Sequence, residues 1–121
     1  MIKTKSVYDP AEKSDGKRVL VMTLWPRGVK KEKVDLWLKE LGTPRELIRK
    51  RKSGKIAWPA FAREYQKSLA GKEELLVALA TESKETTLTL LCTEKDESQC
   101  HRSLLKAIIE RRSGAAPRKT L

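Results

Sequence analysis

Alternating apolar and polar positions define the first element: Ile2 to Val7 alternates, carries β-branched residues and runs into Tyr8-Asp9-Pro10, which predicts a strand followed by a turn. Val19-Leu20-Val21-Met22-Thr23-Leu24 is instead an unbroken apolar run of strand length, the pattern of a strand covered on both faces, stopped by Trp25-Pro26-Arg27-Gly28. Thr86 to Cys92 predicts a third strand. Between the second and third, the period becomes helical. Val34, Trp37, Leu38 and Leu41 predict a helix from about Lys30, closed by Gly42. Thr43-Pro44-Arg45-Glu46 has the form of a capping box with proline at the first helical position, so Arg45 to Arg51 should be helical as far as the break at Ser53-Gly54. Trp58, Phe61, Ala62, Tyr65 and Leu69 share one helical face, with Pro59 near its start and Gly71 near its end; they read as core. Leu75, Leu76 and Leu79 mark another helix. Leu104, Leu105, Ile108 and Ile109 mark a last one, reaching about Arg112 and stopped by Ser113-Gly114-Ala115-Ala116-Pro117.

Strands separated by helical segments predict an α/β fold: a small, mostly parallel sheet of three or slightly more strands, Rossmann-like, with helices packed on it. A length of 121 residues suits one domain, placed at residues 1–112, with 113–121 as a flexible basic tail. No internal repeat is evident. No run approaches the roughly 20 apolar residues of a membrane span. Met1-Ile2-Lys3-Thr4-Lys5 lacks the apolar core of a signal peptide, so a cytoplasmic protein with no membrane partner is expected. In that compartment two cysteines are expected to be thiols or ligands rather than a staple.

Charge adds a second theme. A formal net charge of +11 and a pI near 9.9 favour an anionic partner. Arg45, Arg49, Lys50, Arg51, Lys52 and Lys55 crowd one segment, whereas seven carboxylates fall between Glu73 and Glu97. The basic segment supports a nucleic-acid-binding module as one reading. Its competitor is a surface of solvated Lys, Arg and Glu ion pairs, consistent with the absence of Asn.

Chemistry concentrates at Cys92 to Arg102, which holds both cysteines and the single histidine around one strand-to-helix turn. Ligands of parallel sheets collect at the carboxyl ends of strands, and both this segment and Trp25-Pro26-Arg27-Gly28 leave from such ends. Ser98 or Gln99 would cap the last helix. That places Cys100, His101 and Arg102 in its first turn, where free N–H groups favour an anion and lower a thiol's pKa. The leading reading is therefore an anionic, phosphate-bearing small molecule bound, with turnover open, between Arg27 and this helix start. His101 and Cys100 are the candidate catalytic groups, with Arg27, Trp25, Arg102, Cys92 and Tyr8 as candidate ligand-binding residues. A third reading is a thiol redox or sensor protein using Cys92 and Cys100. Cys92, Cys100 and His101, with Asp96 nearby, supply zinc-ligand chemistry, but two of them are adjacent and no paired CxxC exists, so no metal and no cofactor are expected.

Val7-Tyr8-Asp9-Pro10, Asp15 to Val21, Leu24-Trp25-Pro26-Arg27-Gly28, Trp37 to Leu41, Phe61 to Tyr65 and the Cys92 to Arg102 segment together resemble, in order, the YeaO-like family of uncharacterised proteins. Leu-Trp-Pro-Arg-Gly is the most specific of these. The resemblance implies an α/β domain and carries no established activity. Family members typically read Val-Asp-Arg where Val21-Met22-Thr23 stands, so an acid and a base are missing here. Relatives often carry Asn-His at Cys100-His101, which favours His101 over Cys100 for any role the family shares.

Overall fold

The computed structural model describes residues 1–94 and 99–119, with side chains described as far as Arg112. Four strands, β1 (Ile2–Ser6), β2 (Lys17–Leu20), β3 (Leu36–Trp37) and β4 (Leu88–Cys92), form one sheet in the order β1-β4-β2-β3. Every pairing is parallel, with Ile2 opposite Leu88 and Lys17 also opposite Leu88. Four helices accompany it: α1 (Arg45–Lys52), α2 (Trp58–Ser68), α3 (Glu73–Ser83) and α4 (His101–Lys119). The expected α/β class and parallel sheet are what the chain builds. No helix among the described residues is long and apolar enough to cross a membrane.

The two faces of the sheet are covered differently. Ile2, Val19, Val21, Leu88 and Leu90 point to one face, where Leu47 of α1, Phe61 and Tyr65 of α2 with Leu69 just past its end, Leu76 and Leu79 of α3, and Leu105, Ile108 and Ile109 of α4 close the main core. The aromatics at helical spacing are thus core, as read. Val7, Leu20 and Leu91 point the other way, onto a smaller cluster with Met22, Trp25, Val29 and Val34. Next to that cluster the second face is charged. Asp15, fully buried, receives Arg18 Nη1 at 2.5 Å, Lys5 Nζ at 3.1 Å and the Glu12 backbone N–H at 3.0 Å.

The helix expected from Lys30 does not form. The segment holds a 3-10 turn (Lys31–Lys33), the edge strand β3 and a second 3-10 turn (Lys39–Leu41). Val34, Leu36 and Leu38 are half-buried while Asp35 and Trp37 are exposed, so a strand period runs through the segment, sharing Val34 and Leu38 with the helical one. Partners decide between them: Asp35 N–H donates to Arg18 O at 2.9 Å, Leu38 N–H to Leu20 O at 2.9 Å, and the Asp35 carboxylate accepts Arg18 N–H at 2.8 Å. Gly42 accordingly closes only the short 3-10 turn, its N–H donating to Lys39 O at 3.0 Å, and not an α-helix. It has extended backbone, and a Cβ there would lie 2.2 Å from the Thr23 nitrogen.

Two boundaries also shift, and one cap is absent. β2 stops at Leu20, and only the Val21 N–H still reaches Leu91 O, at 3.1 Å. Beyond it, Met22 O accepts the Trp37 indole N–H at 2.7 Å, and Thr23 Oγ1 donates to Thr43 O at 2.6 Å. With Thr43 buried in that contact, α1 starts after Pro44 with no side-chain cap, although its expected span holds. Finally, α4 continues to Lys119 through the stop expected at Ser113-Gly114. One glycine costs a helix only about 1 kcal/mol, two alanines follow it, and Pro117 sits in the closing turns.

Candidate functional site

The carboxyl ends of β2 and β4 open into a cleft of about 350 Å³, walled by Met22, Thr23 and Thr43 on one side and by Arg51 and Lys52 of α1 on another. Its floor is Cys92 from the end of β4, Cys100 just before α4, and His101, the first residue of α4. All three are buried, at 6%, 4% and 7% exposure. His101 Nδ1 lies 4.0 Å from Cys92 Sγ and 3.8 Å from Cys100 Sγ. Its other nitrogen, Nε2, lies 2.5 Å from the Val21 carbonyl oxygen. A carbonyl only accepts, so Nε2 carries a proton, and Nδ1 is the atom turned to the sulfurs.

The two thiols are not equivalent. The Cys100 S–H donating to Cys92 pulls the Cys92 thiol well below its ordinary range against the cost of burial, aided by His101 and the Glu94 backbone N–H. Cys100 is pushed up by the same bond, by burial and by the Cys92 charge. The sequence assigned the reactive thiol to Cys100 from its place at a helix start. In the fold it is the Cys92 thiol whose pKa is lowered, while that of Cys100 is raised.

The ring of Tyr65 meets His101 edge-on, with centroids 5.3 Å apart, and its hydroxyl donates to Leu41 O at 2.6 Å. Burial raises its pKa, followed by the two cysteines, so the phenol stays a donor. Tyr65→Phe strands the Leu41 carbonyl and is expected to lower unfolding free energy by about 1–3 kcal/mol, measured by denaturant titration.

The other sequence candidates fall into separate places. Arg102 is 1% exposed; its Nη1 donates to Glu94 O at 2.6 Å, and its Nε has no hydrogen-bond partner among the described residues. Tyr8, Trp25 and Arg27 are not among the residues lining the cleft. Tyr8 OH donates to Arg27 O at 2.9 Å, the Trp25 indole N–H donates to Val29 O at 2.9 Å, and Trp25 packs toward the opposite sheet face. Asp96 and Ser98 lie outside the described residues.

The basic segment divides. Arg45, Arg49, Lys50, Lys52 and Lys55 are exposed, whereas Arg51 turns in: its guanidinium stacks over Trp58 at 4.7 Å and Phe61 at 4.9 Å, and its Nη2 donates to Gln99 Oε1 at 3.2 Å. Sequence reasoning placed Arg51 on a nucleic-acid surface. The aromatic pair one helix later was the signal for its inward turn. The Val21 carbonyl that orients His101 is a main-chain group, and no residue type announces it.

A parallel sheet with cysteines and an imidazole gathered at its carboxyl rim defines a small α/β protein with a cleft at strand ends, the place where such sheets hold ligands. The family described as "Active DUF488-N3 subclade" (DUF488-N3a) matches residues 2–113. The chain is 43% identical over 107 residues to the uncharacterized protein YeaO of Escherichia coli, covering 86% of this chain and 92% of that protein. Uncharacterized proteins of Mycobacterium bovis and Mycobacterium tuberculosis are each 31% identical over 70 residues, covering 56% of this chain and 59% of theirs. The chain belongs to the YeaO-like DUF488 family. No solved structure matches it.

Proposed function

We propose that the cleft binds and acts on an anionic, phosphate-bearing small molecule, held by Arg51 and Lys52 with its reacting part over Cys92, Cys100 and His101. The observation that carries this reading is the meeting, in one cleft, of a prearranged guanidinium and a buried thiol-imidazole cluster. Stacking on Trp58 and Phe61 fixes the plane of Arg51, and one bond to Gln99 leaves further N–H donors for an oxyanion. The cationic wall of this site is Arg51 with Lys52, in place of Arg27. The description of the matched family as active supports a site that reacts as well as binds.

Trp58 lies under Arg51, so its fluorescence is a direct probe. Titration with inorganic phosphate, ribose 5-phosphate and adenosine monophosphate is expected to give saturable quenching with at least one of them. Arg51→Ala should weaken that binding by about ten- to a hundredfold, the worth of a charged hydrogen bond, while Arg27→Ala leaves it unchanged. Equal binding by wild type and Arg51→Ala would refute the reading. Absence of phosphate binding, together with salt-dependent duplex DNA binding lost on neutralising Arg45, Arg49, Lys50 and Lys55, would give the basic helix to nucleic acid instead.

A further inference from the structure

Cys92, Cys100 and His101 are the one group of metal-capable side chains found among the described residues, and their ligand atoms all lie within 4.8 Å of one another. A zinc ion with sulfur bonds near 2.3 Å and nitrogen bonds near 2.0 Å sets its tetrahedral donors about 3.5–3.8 Å apart. Of the two sulfur-to-nitrogen separations here, 3.8 Å lies at the upper end of that range and 4.0 Å exceeds it by tenths of an ångström. Adjacency of Cys100 and His101 is no obstacle. The chain turns at Cys100 before α4 begins, so neighbouring side chains face the same point.

A second, independent feature is the orientation of the imidazole. A histidine that ligates through one nitrogen usually donates from the other to a carbonyl or carboxylate, which fixes its tautomer and aims its lone pair. His101 does so through Nε2 to Val21 O, leaving Nδ1 directed at both sulfurs. The sulfur and nitrogen donors suit zinc or another borderline-soft ion rather than magnesium or calcium.

We propose that Cys92 Sγ, Cys100 Sγ and His101 Nδ1 bind a single zinc-class ion whose fourth position opens on the cleft. Three protein ligands and a free position are the arrangement of a working metal site; a structural one closes with four. Each sulfur binds as thiolate, so the protons still held by the thiols pass to solvent as the sulfur–metal bonds form. The site reverses the expectation drawn from the missing CxxC pair. It stands on these side chains alone, with or without an anion on Arg51.

The test is titration of the reduced, chelator-treated protein with cobalt(II), followed by zinc competition. The expected result is one ion per chain, a sulfur-to-cobalt charge-transfer band, and loss of that band as zinc enters. Cys92→Ser, Cys100→Ser and His101→Gln should each weaken binding by more than the roughly hundredfold that outer-shell partners cost. Arg51→Ala should leave metal affinity unchanged, so failure of the anion reading and failure of the metal site are told apart. Absence of the band in wild type, or wild-type affinity in any of the three ligand variants, overturns the proposal. If circular dichroism shows those variants unfolded, thiol protection in wild type decides: zinc must slow the reaction of both cysteines with a disulfide reagent, and unchanged reactivity overturns the site.

Discussion

Asp15→Asn is expected to lower the unfolding free energy by about 3–5 kcal/mol, enough to unfold much of the population, because it leaves the buried Arg18 guanidinium without its counter-charge. The loss arises less from the pair's own attraction than from stranding a cation out of water. Arg18 already has one nitrogen, Nη2, with no hydrogen-bond partner among the described residues, so it has no spare solvation to fall back on. Arg18→Met in the same chain should recover part of the loss, and a double-mutant cycle read by urea unfolding measures how much. A double variant that loses the sum of the two single-variant losses would show that the pair is not coupled. The same group gives the molecule an acid limit. Burial pushes the Asp15 carboxyl up, but the Glu12 backbone N–H, Lys5 and Arg18 outweigh it and hold the pKa down at about 2. A carboxyl lower in the folded than in the unfolded chain stabilises fully above the unfolded value, near 4. Its contribution drains away as pH falls toward 2. Asp15→Asn should flatten that acid limb of the stability profile.

Gly42→Ala is the second large effect. The added Cβ would lie 2.2 Å from the Thr23 nitrogen, 2.5 Å from its Oγ1 and 2.6 Å from the Met22 carbonyl carbon. Two of those atoms are main chain, so no side-chain rotation relieves the clash. The backbone at Gly42 is extended and suits alanine in itself, which isolates the contact as the cause. A cost of about 3 kcal/mol, the upper end of ordinary overpacking, and a fall in Tm of about 10 °C or more are expected by calorimetry. Met22, Thr23 and Thr43 wall the cleft, and Thr23 Oγ1 holds Thr43 O at 2.6 Å, so ligand binding should suffer with stability. A melting temperature within two degrees of wild type would show that these segments separate freely.

Much of this architecture is legible in residue order because the deciding interactions are local. The apolar run at Val19, the helical stripe from Trp58 to Leu69 and the strand ending at Cys92 are set by their own patterns. The Val34 to Leu41 segment was misread for an equally physical reason. Its apolar positions satisfy two periods, and the choice is made by Arg18 and Leu20, whose backbone it pairs with across the sheet. In the site, the convergence of Cys92, Cys100 and His101 was readable from a strand end meeting a helix start. What could not be read was orientation: Trp25, Tyr8 and Arg27 emerge after neighbouring strand ends yet fold away from the cleft. Arg51 and the Val21 carbonyl enter it through tertiary packing alone.

The strand order carries a consequence for how the chain is made. β1 and β2 never touch; each is joined to the sheet through β4, which is the last strand to be synthesised. A nascent chain that has not yet passed Cys92 can pair only β2 with β3, two residues against two, and its N-terminal strand waits unpaired. Assembly is therefore gated by late, long-range closure, the slow regime for a domain of this size. The thiol-imidazole cluster cannot exist before that step, because one of its sulfurs arrives on the closing strand and the rest follows it out of the ribosome.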